Sequence, residues 1–144
     1  MAGLSRTSGR SNIFEIWEYW MPVSPEYKEF LQELFEPLGP IKTKSMFGVD
    51  GVFITLPDGD LMFGLIASET LYLKVDDTNR ADFEAENKRP FVFESKNGKQ
   101  DVKSYYELPD ALYDEPDAFT DWARKSFDVA LRGRKSKNKR KKER

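Results

Sequence analysis

Apolar residues recur at three- and four-residue steps in two segments of the chain, the spacing that gives a helix one apolar face. The first segment begins after Ser24, a typical N-cap residue, and ends before Gly39-Pro40; its apolar positions are Tyr27, Phe30, Leu31, Leu34, Phe35 and Leu38. The second covers residues 116–131, with Phe119, Trp122, Ala123, Phe127 and Ala130. A shorter helix is indicated at about 78–86. We expect these stripes to pack in a core rather than hold a cofactor.

Short runs of apolar and β-branched residues between the helices predict strands. Runs 52–56 and 61–66 are joined by Pro57-Asp58-Gly59-Asp60, which favours a tight turn, and run 71–75 alternates apolar with polar positions. Runs 91–93 and 102–106 predict a second hairpin around Asn97-Gly98. Strands in hairpins with helices at the ends predict an antiparallel sheet of about five or six strands covered on one face. The fold class is therefore α+β with two layers.

The pattern also predicts which side chains form the core. We expect one core between the sheet and its covering helices, containing Phe30, Leu34, Phe53, Phe63, Leu73, Phe93 and Trp122. Gly48, Gly51 and Gly64 lie within or beside strands, which indicates bulges or close approach of backbones. They match neither a phosphate-binding loop nor a dinucleotide fingerprint.

The length of 144 residues fits one domain, with a short segment on each side of it. We expect a flexible leader at 1–20, an α+β domain at 21–131 and a disordered basic tail at 132–144. Within the leader, Ile13, Phe14, Trp17 and Trp20 could share a helical face that docks on a partner or membrane surface. The simpler expectation is that the leader is dispensable for folding. The chain shows neither a secretory signal nor a membrane span, so we expect a cytoplasmic protein with no membrane partner.

Charge is distributed unevenly along the chain. The net charge is −2, but residues 132–144 contain nine Lys or Arg and one Glu, which leaves −10 for the rest. Like charges repel and nothing apolar is available to bury, so this segment is predicted to be disordered and to attract polyanions. It contains no aromatic residue, so binding to nucleic acid should be weak and independent of base sequence. The candidate nucleic-acid-binding residues are Arg132, Arg134, Lys135, Lys137, Lys139, Arg140, Lys141 and Lys142.

Two residue types that commonly perform catalysis are absent from the sequence, so an enzyme could rely only on other groups such as carboxylates. It contains no cysteine and no histidine, which excludes disulfides, thiolate nucleophiles and histidine-centred metal or acid–base sites. Asp58, Asp60, Asp76 and Asp77 match no calcium loop, and turns or helix caps explain them more simply. We therefore expect no catalytic residue, no metal site, no cofactor and no small-molecule substrate.

Five blocks in order carry a resemblance to a known family. They are SMFGVDGVF at 45–53, LMFGLIASETLYLKVDDTNRADFE at 61–84, RPFVF at 89–93, SYYELP at 104–109 and DWARKS at 121–126. Together they resemble the N-terminal domain of the TfoX/Sxy family, named for regulators of natural competence. The resemblance implies a fold like that of secretion chaperones, a role in transcription of competence genes and no established catalytic activity. The family commonly has Gly-Gly-Tyr-Gly where this chain has Gly48-Val49-Asp50-Gly51, and its full-length regulators carry a second, helical domain.

Two functions remain open at this point. The first is a non-enzymatic regulatory adaptor whose acidic domain binds a protein partner while the tail contacts nucleic acid. The second is a peptide- or protein-binding module without a nucleic-acid role, using one sheet face or the edge near residues 44–47.

Overall fold

The structure, a computed structural model, describes the backbone of residues 24–46 and 48–143 and the side chains of this part up to residue 138. Its elements in chain order are α1 (Pro25–Leu34), β1 (Lys42–Met46), β2 (Val49–Leu56), β3 (Gly59–Ala67), β4 (Thr70–Lys74), α2 (Arg80–Ala85), β5 (Pro90–Ser95), β6 (Gly98–Glu107), a 3-10 helix (Asp110–Asp114) and α3 (Pro116–Glu143). The strands form one sheet in the order β1-β2-β3-β4-β6-β5, and all neighbours are antiparallel. The predicted two-layer α+β fold is confirmed.

Helix α1 begins where the sequence predicts. The Ser24 hydroxyl oxygen accepts a hydrogen bond from the Tyr27 backbone N–H at 3.2 Å, and proline occupies the first turn. The helix ends at Leu34, earlier than the apolar spacing suggests, because residues 35–38 form a turn in which the N–H groups of Leu38 and Gly39 both bond the Phe35 carbonyl oxygen. Phe35 is nevertheless buried, so the turn continues the apolar face of the helix.

The β2–β3 hairpin contains a register shift that positions the central core residue. Val52 lies opposite Gly64 and Phe53 lies opposite Met62, so Phe63 is the extra residue in β3. Because of this bulge, Phe63 and Ile66 both reach the core although they are three residues apart. A Cβ on Gly64 would lie 3.0 Å from the Tyr72 carbonyl oxygen, so glycine permits the close approach of β3 and β4.

The helices cover one face of the sheet, and aromatic rings from distant parts of the chain meet beneath them. The Phe35 ring centroid lies 5.4 Å from that of Phe63 and 4.9 Å from that of Phe119 on α3. Trp122 is half-buried and packs edge-on against Phe83 of α2 at 4.8 Å. The core positions predicted for Leu34, Phe63 and Leu73 are confirmed, and Trp122 lies at the margin of the same core.

Three predicted core residues lie elsewhere. Phe30 is 39% exposed on the outer side of α1, and Phe93 is 37% exposed on the edge strand β5, where no described helix covers the hairpin. Phe53 is half-buried on the opposite face of the sheet, because its neighbour Val52 faces the core and successive strand residues point to opposite faces. The sequence pattern identifies the apolar residues of a strand. It does not show which of them point into the core when the sheet contains a bulge.

The short helix α2 begins two residues later than predicted. The carboxylate of Asp76 accepts hydrogen bonds from the backbone N–H of Thr78 at 2.8 Å and from its hydroxyl at 2.6 Å. The Asn79 side-chain oxygen accepts from the Asp76 N–H at 2.9 Å. These local bonds hold a turn, which delays the helix to Arg80.

Several predictions lie outside the described residues. They are the leader at 1–20, residues 21–23 of the predicted domain, Phe47 of the predicted edge at 44–47, and Arg144. That the leader is dispensable for folding therefore stays a prediction. Within the described part of the chain, none of the helices has the length and apolar character needed to cross a membrane.

Core placement is testable with a matched pair of phenylalanines. Phe63→Ala removes a fully buried ring and should lower the free energy of unfolding by about 3–5 kcal/mol. Phe93→Ala, at an exposed position on β5, should lower it by about 1 kcal/mol or less. Urea unfolding followed by circular dichroism measures both. Equal losses in the two variants would contradict the assignment of the core to one face.

Candidate nucleic-acid interface

The basic segment is the last part of α3. The sequence predicts that the final helix ends near Leu131 and that disorder follows, whereas the structure continues the helix to Glu143. Lys and Arg are strong helix formers, and positive charge is favourable at a helix C-terminus. Gly133 is the poorest helix former in the segment, and a Cβ there would meet nothing within 4 Å. At 1.5 Å per residue, the 28-residue helix is about 42 Å long.

The first candidate residue, Arg132, is bound to the domain. Its Nη2 lies 3.3 Å from Asp76 Oδ2 and donates to the Thr78 hydroxyl oxygen at 3.0 Å. Burial opposes ionisation of Asp76, but the hydrogen bonds from Thr78 and the contact with Arg132 outweigh it and lower the pKa of that carboxyl. Both partners are largely exposed, so the pair contributes little stability by itself. Its effect is to fix the direction in which the helix leaves the core.

The second candidate, Arg134, makes more contacts than Arg132. Its Nη1 donates to Asp58 Oδ1 at 3.0 Å and to the Gly59 carbonyl oxygen at 3.3 Å, while Nη2 donates to the Asp60 carbonyl oxygen. The side chain is only 20% exposed. A planar guanidinium with several fixed donors can satisfy three acceptors of one turn at once, which a lysine cannot do. Arg134 therefore attaches α3 to the β2–β3 turn.

The two arginines bind opposite sides of one end of the sheet. β3 begins at the β2–β3 turn, and the antiparallel strand β4 ends beside it, so the turn and the β4–α2 connection are neighbours. The helix passes between them, with Arg132 on one and Arg134 on the other. The same turn is held from the sheet side, since Lys44, Thr55 and Lys42 all bond the Asp60 carboxylate and lower its pKa. The first residues of the predicted basic segment are thus bound to the acidic domain.

Beyond the docked arginines, helix geometry arranges the basic positions in two rows. With 100° between successive residues, positions 132, 135, 139 and 142 follow one side of the axis and positions 134, 137 and 141 follow another. Lys135 and Lys137 are exposed. Burial lowers the pKa of Lys74 on β4, and the charge of Lys137 lowers it further, so Lys137 still lies near the domain. The side chains of Lys139, Arg140, Lys141 and Lys142 lie outside the described part.

The structure adds residues that sequence reasoning had assigned only to turns and caps. Asp58, Asp60 and Asp76 do serve turns, but they and Thr78 also receive the two arginines of a segment more than 50 residues away. No local pattern contains this pairing, because it depends on where α3 ends in three dimensions. The opposite charges of the basic segment and the domain predicted an attraction between them. They did not identify the residues that form the contact.

Other surface features offer less chemistry. A shallow groove along α3 is lined by Ala118, Asp121, Trp122, Arg124, Lys125 and Asp128. Lys125 in this groove bonds Asp82 of α2 at 3.1 Å. Across residues 24–46 and 48–143, no group of three or more acidic side chains is placed to hold a metal ion.

One comparison with known proteins identifies the domain. The family model described as the TfoX N-terminal domain matches residues 33–130. The match begins inside α1, covers the whole sheet and ends two residues before Arg132, so the basic segment lies outside it. No curated protein sequence matches the chain significantly.

The docking of Arg134 predicts a measurable loss of stability. Arg134→Ala removes three hydrogen bonds and should lower the free energy of unfolding by about 1–2 kcal/mol. Lys135→Ala, the adjacent exposed position, is the matched control and should change it by about 0.5 kcal/mol or less. Guanidinium unfolding curves compare the two. Indistinguishable midpoints would show that the helix end is not attached to the turn.

The Arg132 contact predicts a pH dependence. The pKa of Asp76 is lowered in the folded state, so its stabilising contribution is complete above the unfolded value of about 3.9 and is lost as the pH falls through the lower folded value. Asp76→Asn should therefore destabilise the protein at pH 6, and its difference from the wild type should shrink below about pH 3.9. Thermal unfolding at a series of pH values measures this. A difference independent of pH would mean that the charge on Asp76 is unimportant.

Proposed function

This chain belongs to the TfoX N-terminal domain family, and we propose from that premise that it is a non-enzymatic, cytoplasmic regulatory adaptor related to competence regulators. In this proposal the α+β domain binds a protein partner and the basic end of α3 contacts nucleic acid. The family match supports the regulatory part. The observation that carries the nucleic-acid part is the attachment of Arg132 and Arg134 to the domain, with exposed lysines following them.

The attachment supports the proposal because it determines which basic side chains are available to bind a polyanion. A disordered polycation next to an acidic body would fold back on many carboxylates at once. Here two arginines are bound to defined acceptors, and the helix directs the following lysines along its own axis. Residues 135–144 contain seven Lys or Arg and one Glu, a net charge of +6. Duplex DNA, with one phosphate charge per roughly 1.7 Å of axis, is a stronger target for them than scattered carboxylates.

The contacts available to this segment are electrostatic. It has no aromatic residue for stacking on bases, and its only uncharged polar residues are Ser136 and Asn138. Phosphate contacts position a protein without reading sequence. The segment therefore contributes affinity, and selection of particular genes would come from the partner.

A second candidate is the peptide-binding module, and one observation favours it. β1 is an edge strand of the sheet, as this function requires, and its lysines Lys42 and Lys44 lie 3.2 and 2.9 Å from Asp60 Oδ2. A peptide added at this edge would meet two lysine side chains, so an acidic strand fits best. The two candidates differ in whether the end of α3 matters for binding.

The nucleic-acid proposal predicts a specific salt dependence. If the +6 beyond Arg134 engages phosphates while the two arginines stay docked, the logarithm of the binding constant should fall with the logarithm of salt concentration with a slope of about −5. Replacing Lys135, Lys137 and Lys139 by Gln should make this slope shallower by about 3. Fluorescence anisotropy with a labelled duplex at several salt concentrations measures both.

The matched control removes the same number of positive charges from another part of the domain. Lys96, Lys99 and Lys103 are exposed on the β5–β6 hairpin, and their replacement by Gln also removes three charges. This control should leave the slope unchanged. If both triple variants change the slope equally, binding follows overall charge and the helix is not the contact. Absence of binding at low salt would leave the peptide-binding module as the better candidate.

A further inference from the structure

The sheet has a second face, opposite the helices, that is rich in large apolar side chains. The strand registers place Gly51, Leu65 and Tyr72 directly beside one another across β2, β3 and β4 on this face. Phe53 is two residues from Gly51, and its ring fills the space that a Cβ on Gly51 would occupy, at 2.7 Å. Tyr72 packs edge-on against Phe91 of β5 at 5.2 Å. We call the surface formed by Met46, Phe53, Leu65, Tyr72, Phe91 and Tyr105 the open face.

The open face is more apolar than a sheet face that contacts only solvent. An antiparallel sheet covered on one side normally alternates apolar and polar residues, with the polar set outward. Here Leu65 is buried, and Phe53, Tyr72 and Phe91 are half-buried, although the described helices all lie on the other side. Burial raises the pKa of Tyr105 on this face to about 12. A surface of this character is typical of one that contacts another segment.

Lysines and carboxylates both lie on the side of the open face, where Asp60 binds Lys42 and Lys44. Lys44 Nζ lies 4.6 Å from the Phe53 ring centroid, and Lys74 Nζ lies 4.9 Å from the Tyr105 ring centroid. Lys74 lies directly opposite Tyr105, and Glu107 lies opposite Tyr72 nearer the other end of the strand. Because Lys44 is paired with Asp60 within the domain, the face is matched to an occupant mainly by its apolar side chains.

The point where the described chain begins indicates what the occupant is. The Ser24 N–H donates to the carboxylate of Glu69 in the β3–β4 turn at 3.4 Å, so the preceding residues enter the structure at that turn. Tyr72 of the open face is three residues from Glu69 in the sequence. Residues 21–23 can span about 10 Å when extended, which is two strand spacings. Residue 20 is therefore within reach of the face.

The sequence of this segment matches the face. Residues 13–20 read IFEIWEYW, with six apolar or aromatic residues, two glutamates and no basic residue. At helical spacing, Ile13, Phe14, Trp17 and Trp20 fall on one side. Glu15 and Glu18 fall on the other side, so they stay in water when the apolar side contacts the face. A short tether gives an effective concentration in the millimolar range, so the chain's own segment has an advantage over a second copy or an external ligand.

We propose that residues 13–20 bind the open face of the same chain and cover it. The binding joins apolar side chains of the segment to the surface around Phe53 and Tyr72, with Glu15 and Glu18 on the side of the segment away from the sheet. It assigns this segment a role in covering a surface rather than in building the core. Any partner that uses the open face must first displace it. This inference does not depend on the role of the basic end of α3.

Tryptophan fluorescence tests the proposal in the full chain. The protein contains three tryptophans, so Trp122→Phe leaves only Trp17 and Trp20, both in the segment of interest. In this parent variant the emission should be blue-shifted and poorly quenched by acrylamide, at every protein concentration used. Indoles that are quenched as freely as tryptophan in solution would overturn the proposal. Protection that grows with protein concentration would also overturn it, in favour of binding between copies.

A matched pair of lysine substitutions locates the contact. Tyr72→Lys in the parent variant places a charge in the open face and should raise the Stern–Volmer quenching constant about twofold or more, because the indoles lose an apolar contact. Val92→Lys, at an exposed position on β5 whose side chain points away from the side of Phe91, is the control and should leave it unchanged. Circular dichroism and a cooperative thermal transition establish that both variants are folded. Equal quenching in the parent and a folded Tyr72→Lys variant would contradict the proposal.

A second measurement does not require a charge in the sheet. The chain has no cysteine, so Met62→Cys, directly opposite Phe53 on the open face, introduces a unique thiol. Its reaction with a maleimide should be at least about twofold faster when Trp17 and Trp20 are replaced by Ser, because the covering contact is lost. Val92→Cys on β5 should react at the same rate in both backgrounds. Unchanged reactivity at position 62 would overturn the proposal.

Discussion

The contact among Phe35, Phe63 and Phe119 determines the position of most other elements. These fully buried rings come from the end of α1, the bulge of β3 and the first turns of α3, and they bring three distant segments to one face of the sheet. Once Phe119 is fixed there, the straight path of α3 carries its later turns past β3 and β4. The docking of Arg132 and Arg134 at the sheet end is a consequence of this packing. The core thus sets where the basic segment leaves the domain.

Local chemistry made much of the fold predictable. The Ser24 cap, the Asp58-Gly59 turn and the Asn97-Gly98 turn each act within a few residues, and each is where the sequence indicates. The wrong core assignments of Phe30, Phe53 and Phe93 have a different origin. Whether an aromatic residue is buried depends on the bulge in β3 and on how far the helices extend over the sheet, and both are properties of the assembled domain.

The candidate interface shows the same division. Composition identifies the basic residues, and charge identifies an attraction between the segment and the domain. The prediction of disorder weighed repulsion among like charges but not the helix propensity of Lys and Arg or the attachment of the helix base. The acceptors Asp58, Asp76 and Thr78 could not be identified from the sequence. They are more than 50 residues from the arginines along the chain, and only the path of α3 brings them together.

The two edges of the sheet bear on solubility at high protein concentration. Among the residues that the structure describes, β1 and β5 each pair with one strand only, and edges of this kind allow strands of separate molecules to join into growing aggregates in many proteins. Two copies of β1 would bring Lys42 and Lys44 against the same lysines, and Pro90 removes an N–H donor from β5. Growth of a continuous intermolecular sheet through either edge is therefore disfavoured.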